Sequence, residues 1–557
     1  MSLIRDDLAT AIVAAAAAAQ AAGDLPAVGI TDAHLERTTA SGRGDYASSL
    51  ALRLARAAGM PPLAIAQQVA ARMSPHPAIE RVEVAAPGFL NLHISAAWLQ
   101  SQVDGILERD ANFGRVDIGA GKRLQVEFVS ANPTGYLTAV AGRAGALGDA
   151  LAHLLAFAGY RVEREFYIND AGNQLQAFTR SIRARFLQSL GIAEAVPDDG
   201  YHGPAIIEIA NQIRAVEGDR FAHMAAADAE RELGRLGLAI VLRSIKEDAE
   251  RFGIRFDVWF SEQSLHDRGA TLSAIEHIER RGFVAQREGA VWFTSTELGD
   301  ERDHVLIRSN GAPTYLAADI AYHHDKFVIR GFDRVIDVWG ADHHGHVPAM
   351  KAGVRALGIE PEQFTVLLHQ MVTIKRGTEI VRMSKRAGDY VALRDVIDEV
   401  GTDAARYFFL SRSTSAHIDF DLELAARQSD DNPVYYVQYG HARTSSILRR
   451  AAELGYESLR GEVGLLSTEE DLALIRKILQ FPEVVDLAAR SLEPHHLTYY
   501  ARELASAFSQ FYENCRVLTD DRDLSAARLK LVRATRIALR NCLALMGMSA
   551  PDRMDRD

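Results

Sequence analysis

From residue 124 the chain passes through a short apolar strand pattern, a glycine-containing break, a long helix pattern and a second strand pattern. That succession leaves few folds open. LQVEFVS (124–130) is a β-run, NPTG (132–135) breaks it, AGALGDALAHLLAFAG (144–159) reads as a helix ended by Gly159, and YRVEREFYIN (160–169) is the next strand. A strand, a crossover helix and a returning strand form the βαβ unit from which doubly wound parallel sheets are built. Further strand patterns stand at VLIRS (305–309), RVIDVWG (334–340) and FTVLLHQMV (364–372), with helical stretches between them. Residues 175–250 are helical and polar throughout and read as an insertion between the two halves of the sheet.

The flanks differ from this centre. Helical Ala/Leu periodicity at 46–73 leads into RVEVAAPGFLNLHIS (81–95), whose alternating apolar residues predict strands around a Gly turn, so residues 1–110 form an α+β module. Beyond about residue 390 the chain is almost entirely helical in pattern. Asp431-Asn432-Pro433 is a helix-entry signal, and residues 429–557 read as an all-helical domain. The stretch between, 111–428, carries the parallel sheet. At 557 residues the chain is too long for a single core, which agrees with three or four domains.

Composition narrows the setting. No apolar run is both long and uncharged enough to span a bilayer. The Ala-rich stretch at 10–22 follows Arg5, Asp6 and Asp7, an acidic start that favours an exposed first helix over a signal peptide. Two cysteines, Cys515 and Cys542, exclude a disulfide framework and a four-cysteine zinc site, so a cytoplasmic protein is expected. A net charge of −12 argues against a broadly basic surface, so any nucleic-acid contact is local. Residues 431–557 hold 17 Lys/Arg against 18 Asp/Glu, yet residues 524–551 contain no acid. Within that run Arg533, Arg536 and Arg540 recur at i, i+3 and i+7, one helix face. They read either as a solvated face or as a phosphate-contacting stripe.

Five motifs then appear in order: VEFVSANPTG (126–135), YINDAGNQ (167–174), APTYLAADIAYH (312–323), DVWGADHH (337–344) and RMSKRAG (382–388). Together they resemble a bacterial arginyl-tRNA synthetase, a class I aminoacyl-tRNA ligase. The resemblance runs nearly end to end, taking in GDYASSLALRLA (44–55) and PGFLNLHIS (87–95) of a tRNA-binding N-terminal extension, and FYENCRVL (511–518) and LMGMSAPDRM (545–554) of an anticodon-binding domain. It implies a Rossmann-like class I catalytic domain, ATP with Mg2+, L-arginine and tRNA-Arg as partners, no structural metal, and a monomer.

The resemblance also assigns residues. Glu127, Ser130, Asn132, Tyr315 and Asp319 correspond to the arginine pocket, where a guanidinium needs carboxylates in fork geometry and an aromatic neighbour. Gly135, Thr138, Gly340, Asp342 and His344 correspond to the nucleotide site. Met383, Ser384 and Lys385 match the family's mobile KMSKS-type loop, with Arg382 at its first Lys, and Lys385 is the expected catalytic cation. Singly, Asp319 could instead pair with Lys326, Tyr315 could be core, and the histidines at 343, 344 and 346 invite a metal reading.

One departure stands out. Residues 138–141 read Thr-Ala-Val-Ala where the family has His-x-Gly-His. Adenylation concentrates negative charge on phosphate oxygens, and losing one preorganised donor there typically costs about 3–4 kcal/mol, roughly 100- to 1000-fold in rate. Thr138 keeps a hydroxyl, Val140 adds a β-branched side chain, and Ala141 offers nothing polar. The expectation is an arginine–tRNA ligase with adenylation impaired relative to an enzyme with both histidines. Two alternatives are a non-catalytic paralogue that binds arginine or tRNA, and a transferase that uses arginyl-tRNA made elsewhere, for which no residue speaks specifically.

Overall fold

The computed structural model describes residues 3–38, 43–381, 391–456 and 460–554. At its centre lie five strands: β1 (Arg123–Glu127), β2 (Arg161–Ile168), β3 (Val258–Ser261), β4 (Arg334–Gly340) and β5 (Phe364–His369). They are parallel and ordered β5-β4-β1-β2-β3. Strand order reverses between β1 and β4, which opens a crevice at their carboxyl ends, the place where such sheets bind ligands. Helix α1 (Ala139–Phe157) crosses from β1 to β2. Gly148 lets it lie against the sheet, since a methyl there would stand 2.1 Å from the Phe128 ring. Between β2 and β3 the chain leaves the sheet as three helices, Asn173–Ser189, Pro204–Glu217 and Ala226–Arg251.

Two strand expectations are corrected. VLIRS does not join the parallel sheet. His304–Ile307 pairs instead with Ala290–Phe293 in a three-stranded antiparallel sheet. Its partner is a few residues away in sequence, so the pairing closes a short loop at low entropic cost. FTVLLHQMV is not one strand either. It breaks after His369 because the buried Arg143 guanidinium donates to the carbonyls of Gln370 (2.7 Å) and Met371 (3.3 Å). Val372–Arg376 then pairs in parallel with Ile418–Asp421, so a strand interrupts the helical pattern expected after residue 390.

The flanking regions pack on this centre. The first helix, Ile4–Ala21, is not simply exposed: Leu8, Ile12, Ala15, Ala16 and Ala19 bury one face. Four antiparallel strands follow, with Ile79–Ala85 and Phe89–Ile94 forming the hairpin around Gly88. In the C-terminal region, helix α3 (Pro433–Glu453) begins where Asn432 caps the amide of Val434. The last helix, Arg522–Leu545, is α4. Ion pairs from Arg37 to Glu483 (2.8 Å) and from Arg476 to Asp45 (2.7 Å) tie the N-terminal module to the helical bundle.

Candidate functional site

Pairing register places three acids side by side. Asp337 of β4 is the partner of Glu127 of β1, and Glu127 is the partner of Glu165 of β2, so their side chains share one face of the sheet. All three are buried. Uncompensated, the row would be strongly self-repelling. One segment neutralises it. Helix α2 (Tyr315–His324) continues into a π-helical turn, Asp325–Ile329, and lies over the row. Lys326, with no solvent exposure, donates to Glu127 at 2.6 Å and to Asp337 at 2.8 Å. Arg330 donates to Glu165 at 2.9 Å, Tyr322 donates to the same carboxylate, and His323 Nε2 meets Asp337 at 2.8 Å. The sequence alternative that paired Lys326 with Asp319 does not hold.

At the carboxyl end of β1 the backbone turns sharply. Val129 and Ser130 both adopt left-handed conformations, with φ of 68° and 38°. Such backbone costs of order 1–3 kcal/mol per residue and collects at functional sites. Here it folds Ser130 back so that its hydroxyl donates to Glu127 at 2.8 Å while accepting from the Tyr167 amide. Glu127 therefore has both oxygens occupied, by Lys326 and Ser130. Asn132 lies exposed on the following loop.

The other half of the predicted pocket sits on the first turns of α2. Tyr315 is 62% exposed and faces Gly172, whose position would bring an added Cβ to 3.7 Å from its hydroxyl. Tyr315 is thus not core. Asp319, one turn on, accepts from His346 Nε2 at 2.8 Å, and His346 stacks on Trp339. The hydrogen bond to Asp319 raises the His346 pKa. His346 is consequently committed to Asp319, while His343 and His344 are exposed beside Asp342 on the short turn that follows Gly340.

Sequence reasoning missed Glu262. It follows β3 directly, a carboxylate at the carboxyl end of a parallel strand, which was the signal available. It is buried, and desolvation together with the charges of Asp319 and Asp170 pushes its carboxyl up to about 7. Asp170 itself is anchored by the Ser261 hydroxyl (2.6 Å) and the Gln263 amide (2.9 Å). Glu262, Asp319 and Asp170 thus stand together beside Tyr167 as an acidic group suited to a cation.

The altered signature forms the start of α1. Thr138 is its N-cap, and its Oγ1 accepts from the Ala141 amide at 3.2 Å. The Ala139 amide donates to the Val391 carbonyl at 3.0 Å, and Leu393 returns a bond to Leu137 at 2.8 Å. Two first-turn amides are therefore taken up internally, although the Thr138 hydroxyl proton remains able to donate. Gly135 lies on the loop just before. Arg382, Met383, Ser384 and Lys385 lie outside the described residues.

The three arginines of α4 are not alike. Arg533 is exposed, whereas Arg536 pairs with Asp552 and Arg540 with Asp110 of the N-terminal region, each at 2.8 Å. Among the described residues, the one trio with ligand atoms close enough to hold a metal ion is Glu493, His495 and His496, in the helical bundle rather than at the sheet. No helix of the described residues is long and apolar enough to cross a membrane.

Comparison with known proteins places this geometry. Three family models match in succession: "Arginyl tRNA synthetase N terminal domain" over residues 4–94, "tRNA synthetases class I (R), catalytic domain" over 102–409, and "DALR anticodon binding domain" over 437–554. The chain belongs to the arginyl-tRNA synthetase family. Among curated members it is 51% identical over 532 residues to the arginine–tRNA ligase of Dehalococcoides mccartyi (strain CBDB1), covering 96% of each chain. It is 48% identical to that of Heliobacterium modesticaldum, covering 99% of each. The structure of the Thermus thermophilus arginyl-tRNA synthetase superposes with a TM-score of 0.79 at 23% identity, covering 99% of this chain and 100% of that one, a likeness of fold.

Proposed function

We propose that this chain is an arginine–tRNA ligase that activates L-arginine with ATP and passes it to tRNA-Arg. The observation that carries the reading is the acidic group at the carboxyl ends of β1, β2 and β3. Asp319, Glu262 and Asp170 gather beside Tyr167, with Tyr315 one helical turn before Asp319, and the first two suit a planar cation with several donors. Glu127 and Ser130 lie at the other side of Tyr167, where they suit the ammonium end of an amino acid. Asn132 stands on the loop between them and the signature. ATP, carrying its magnesium ion as substrate, fits the crevice between β1 and β4, bounded by Gly135 and Thr138 on one side and by Gly340, Asp342 and His344 on the other. Lys385, with Met383 and Ser384, supplies the cation for the leaving pyrophosphate, since Val391–Leu393 anchors one flank of that segment on the signature. Thr138 is the remaining side-chain donor of the signature, and adenylation is slowed accordingly.

The segments 1–110 and 429–557 serve tRNA, and 111–428 the chemistry. The chain acts as a monomer, and its two free buried cysteines suit the cytoplasm. Charging of tRNA-Arg with labelled arginine tests the reading: ATP-dependent charging is expected, with lysine used far less because a compact ammonium does not present the planar fork of donors that a guanidinium does. Equal use of lysine, or no charging with either, would refute it.

A further inference from the structure

We propose that Lys326 is a positioning residue for the amino-acid substrate: it keeps the Glu127 carboxylate ionised and fixed at the edge of the pocket, so that the substrate's ammonium meets an acceptor and not an acid. The inference rests on the arginine reading above.

The argument starts from register. Asp337, Glu127 and Glu165 are direct neighbours across three parallel strands. Arg330 is engaged with Glu165 and with Asp325, so it leaves nothing for the other two. The groups that face Glu127 are Lys326, Tyr322 and His323 from the covering helix, Asp337 from β4, Glu165 and Tyr167 from β2, and Ser130 from its own loop, with Asp319 and Glu262 nearby. Among the described residues Lys326 is the only cation within hydrogen-bond reach of the carboxylate, at 2.6 Å. Its ammonium also lies 4.0 Å from the Tyr322 ring centre, which fixes it laterally. The π-helical turn at Asp325–Ile329 sets where Lys326 falls along the row, and such turns recur at functional sites. Asp337 has a second partner in His323, whereas Glu127 has only the neutral Ser130 besides Lys326. The two acids respond differently: burial and Asp337 raise Glu127 despite Lys326, while Asp337 lies below its ordinary value, held there by Lys326 and His323 against the cost of burial. Of the two acids that Lys326 bridges, Glu127 is thus the one that would take up a proton first if Lys326 were lost.

The test is arginine binding by calorimetry on the full chain between pH 6 and 9, for the natural protein, Lys326→Met, and Lys326→Met combined with Asp337→Asn. Lys326→Met removes a facing opposite charge and should add, to the Glu262-governed fall that both proteins share below pH 7, a further loss of affinity that is largest at low pH and shrinks as the pH rises to 9. The ratio of natural to variant affinity should be on the order of tenfold or more at pH 6 and narrow by up to about tenfold per pH unit toward pH 9. The double variant removes the competing carboxylate as well, keeps the core free of an unpaired acid pair, and should bring the profile back toward the natural one. A pH-independent loss in Lys326→Met, or a double variant no closer to the natural profile, would show that Lys326 only fills the core and would overturn the proposal. Failure of the natural protein to bind arginine would instead remove the arginine reading, and this inference with it.

Discussion

At the scale of single residues, the cleft is a problem of unbalanced charge. Glu262 is the clearest case, with its carboxyl raised to about 7 by burial and by Asp319 and Asp170. Arginine's guanidinium binds the ionised form, so below pH 7 a proton must leave before the cation enters. Affinity should therefore fall roughly tenfold per unit as pH drops below 7 and level off above about 8. Calorimetry in buffers of different ionisation enthalpy should show proton release at pH 6. Glu262→Gln should abolish that release and cost about 3–5 kcal/mol of binding at pH 8. An unchanged affinity would remove Glu262 from the site. The signature residues follow a different logic. Thr138 caps α1, and Val140 costs the helix roughly a few tenths of a kcal/mol less than glycine would. Thr-Ala-Val-Ala is a sound helix start at the place where the resemblance implies phosphate donors.

At the scale of elements, the sequence carried most of what local pattern can carry. The β1–α1–β2 unit, the helical excursion before β3 and the Asn432 cap all followed from periodicity and turn chemistry. What escaped depended on partners distant in sequence. Nothing local in FTVLLHQMV announces that Arg143 will take the carbonyls of Gln370 and Met371 and split the strand. VLIRS differs, since its antiparallel partner Ala290–Phe293 is close in sequence, but an apolar run alone does not say which sheet it joins. The acidic row shows the same limit for the site. Glu127, Tyr315 and Asp319 are proposed from motif order, but the neutralisation of Glu127 by Lys326 needs both strand register and the π-helical turn. Glu262 was missed because a single acid after a short strand carries little pattern.

For the molecule as a whole, the basic stripe of α4 proves divided in its duties. Arg540 joins the helical bundle to Asp110 of the N-terminal region and Arg536 holds Asp552 near the C-terminus, which leaves Arg533 exposed. Replacing Arg533 with alanine should reduce the salt slope of tRNA binding by about 1 without lowering Tm. Arg540→Ala should leave the slope nearly unchanged and lower Tm, since it releases a contact between regions; an equal slope change in both variants would restore the view of one phosphate-binding stripe. These contacts frame the central claim, that the chain is an arginine–tRNA ligase whose activation step is slowed by residues 138–141. Arginine-dependent ATP–pyrophosphate exchange, measured with tRNA-Arg present, tests it most directly when the natural protein is compared with Thr138→His, Val140→Gly, Ala141→His. The account predicts measurable exchange in the natural protein and a gain on the order of 100-fold or more in the triple variant. No exchange in the natural protein, or equal exchange in both, would contradict it.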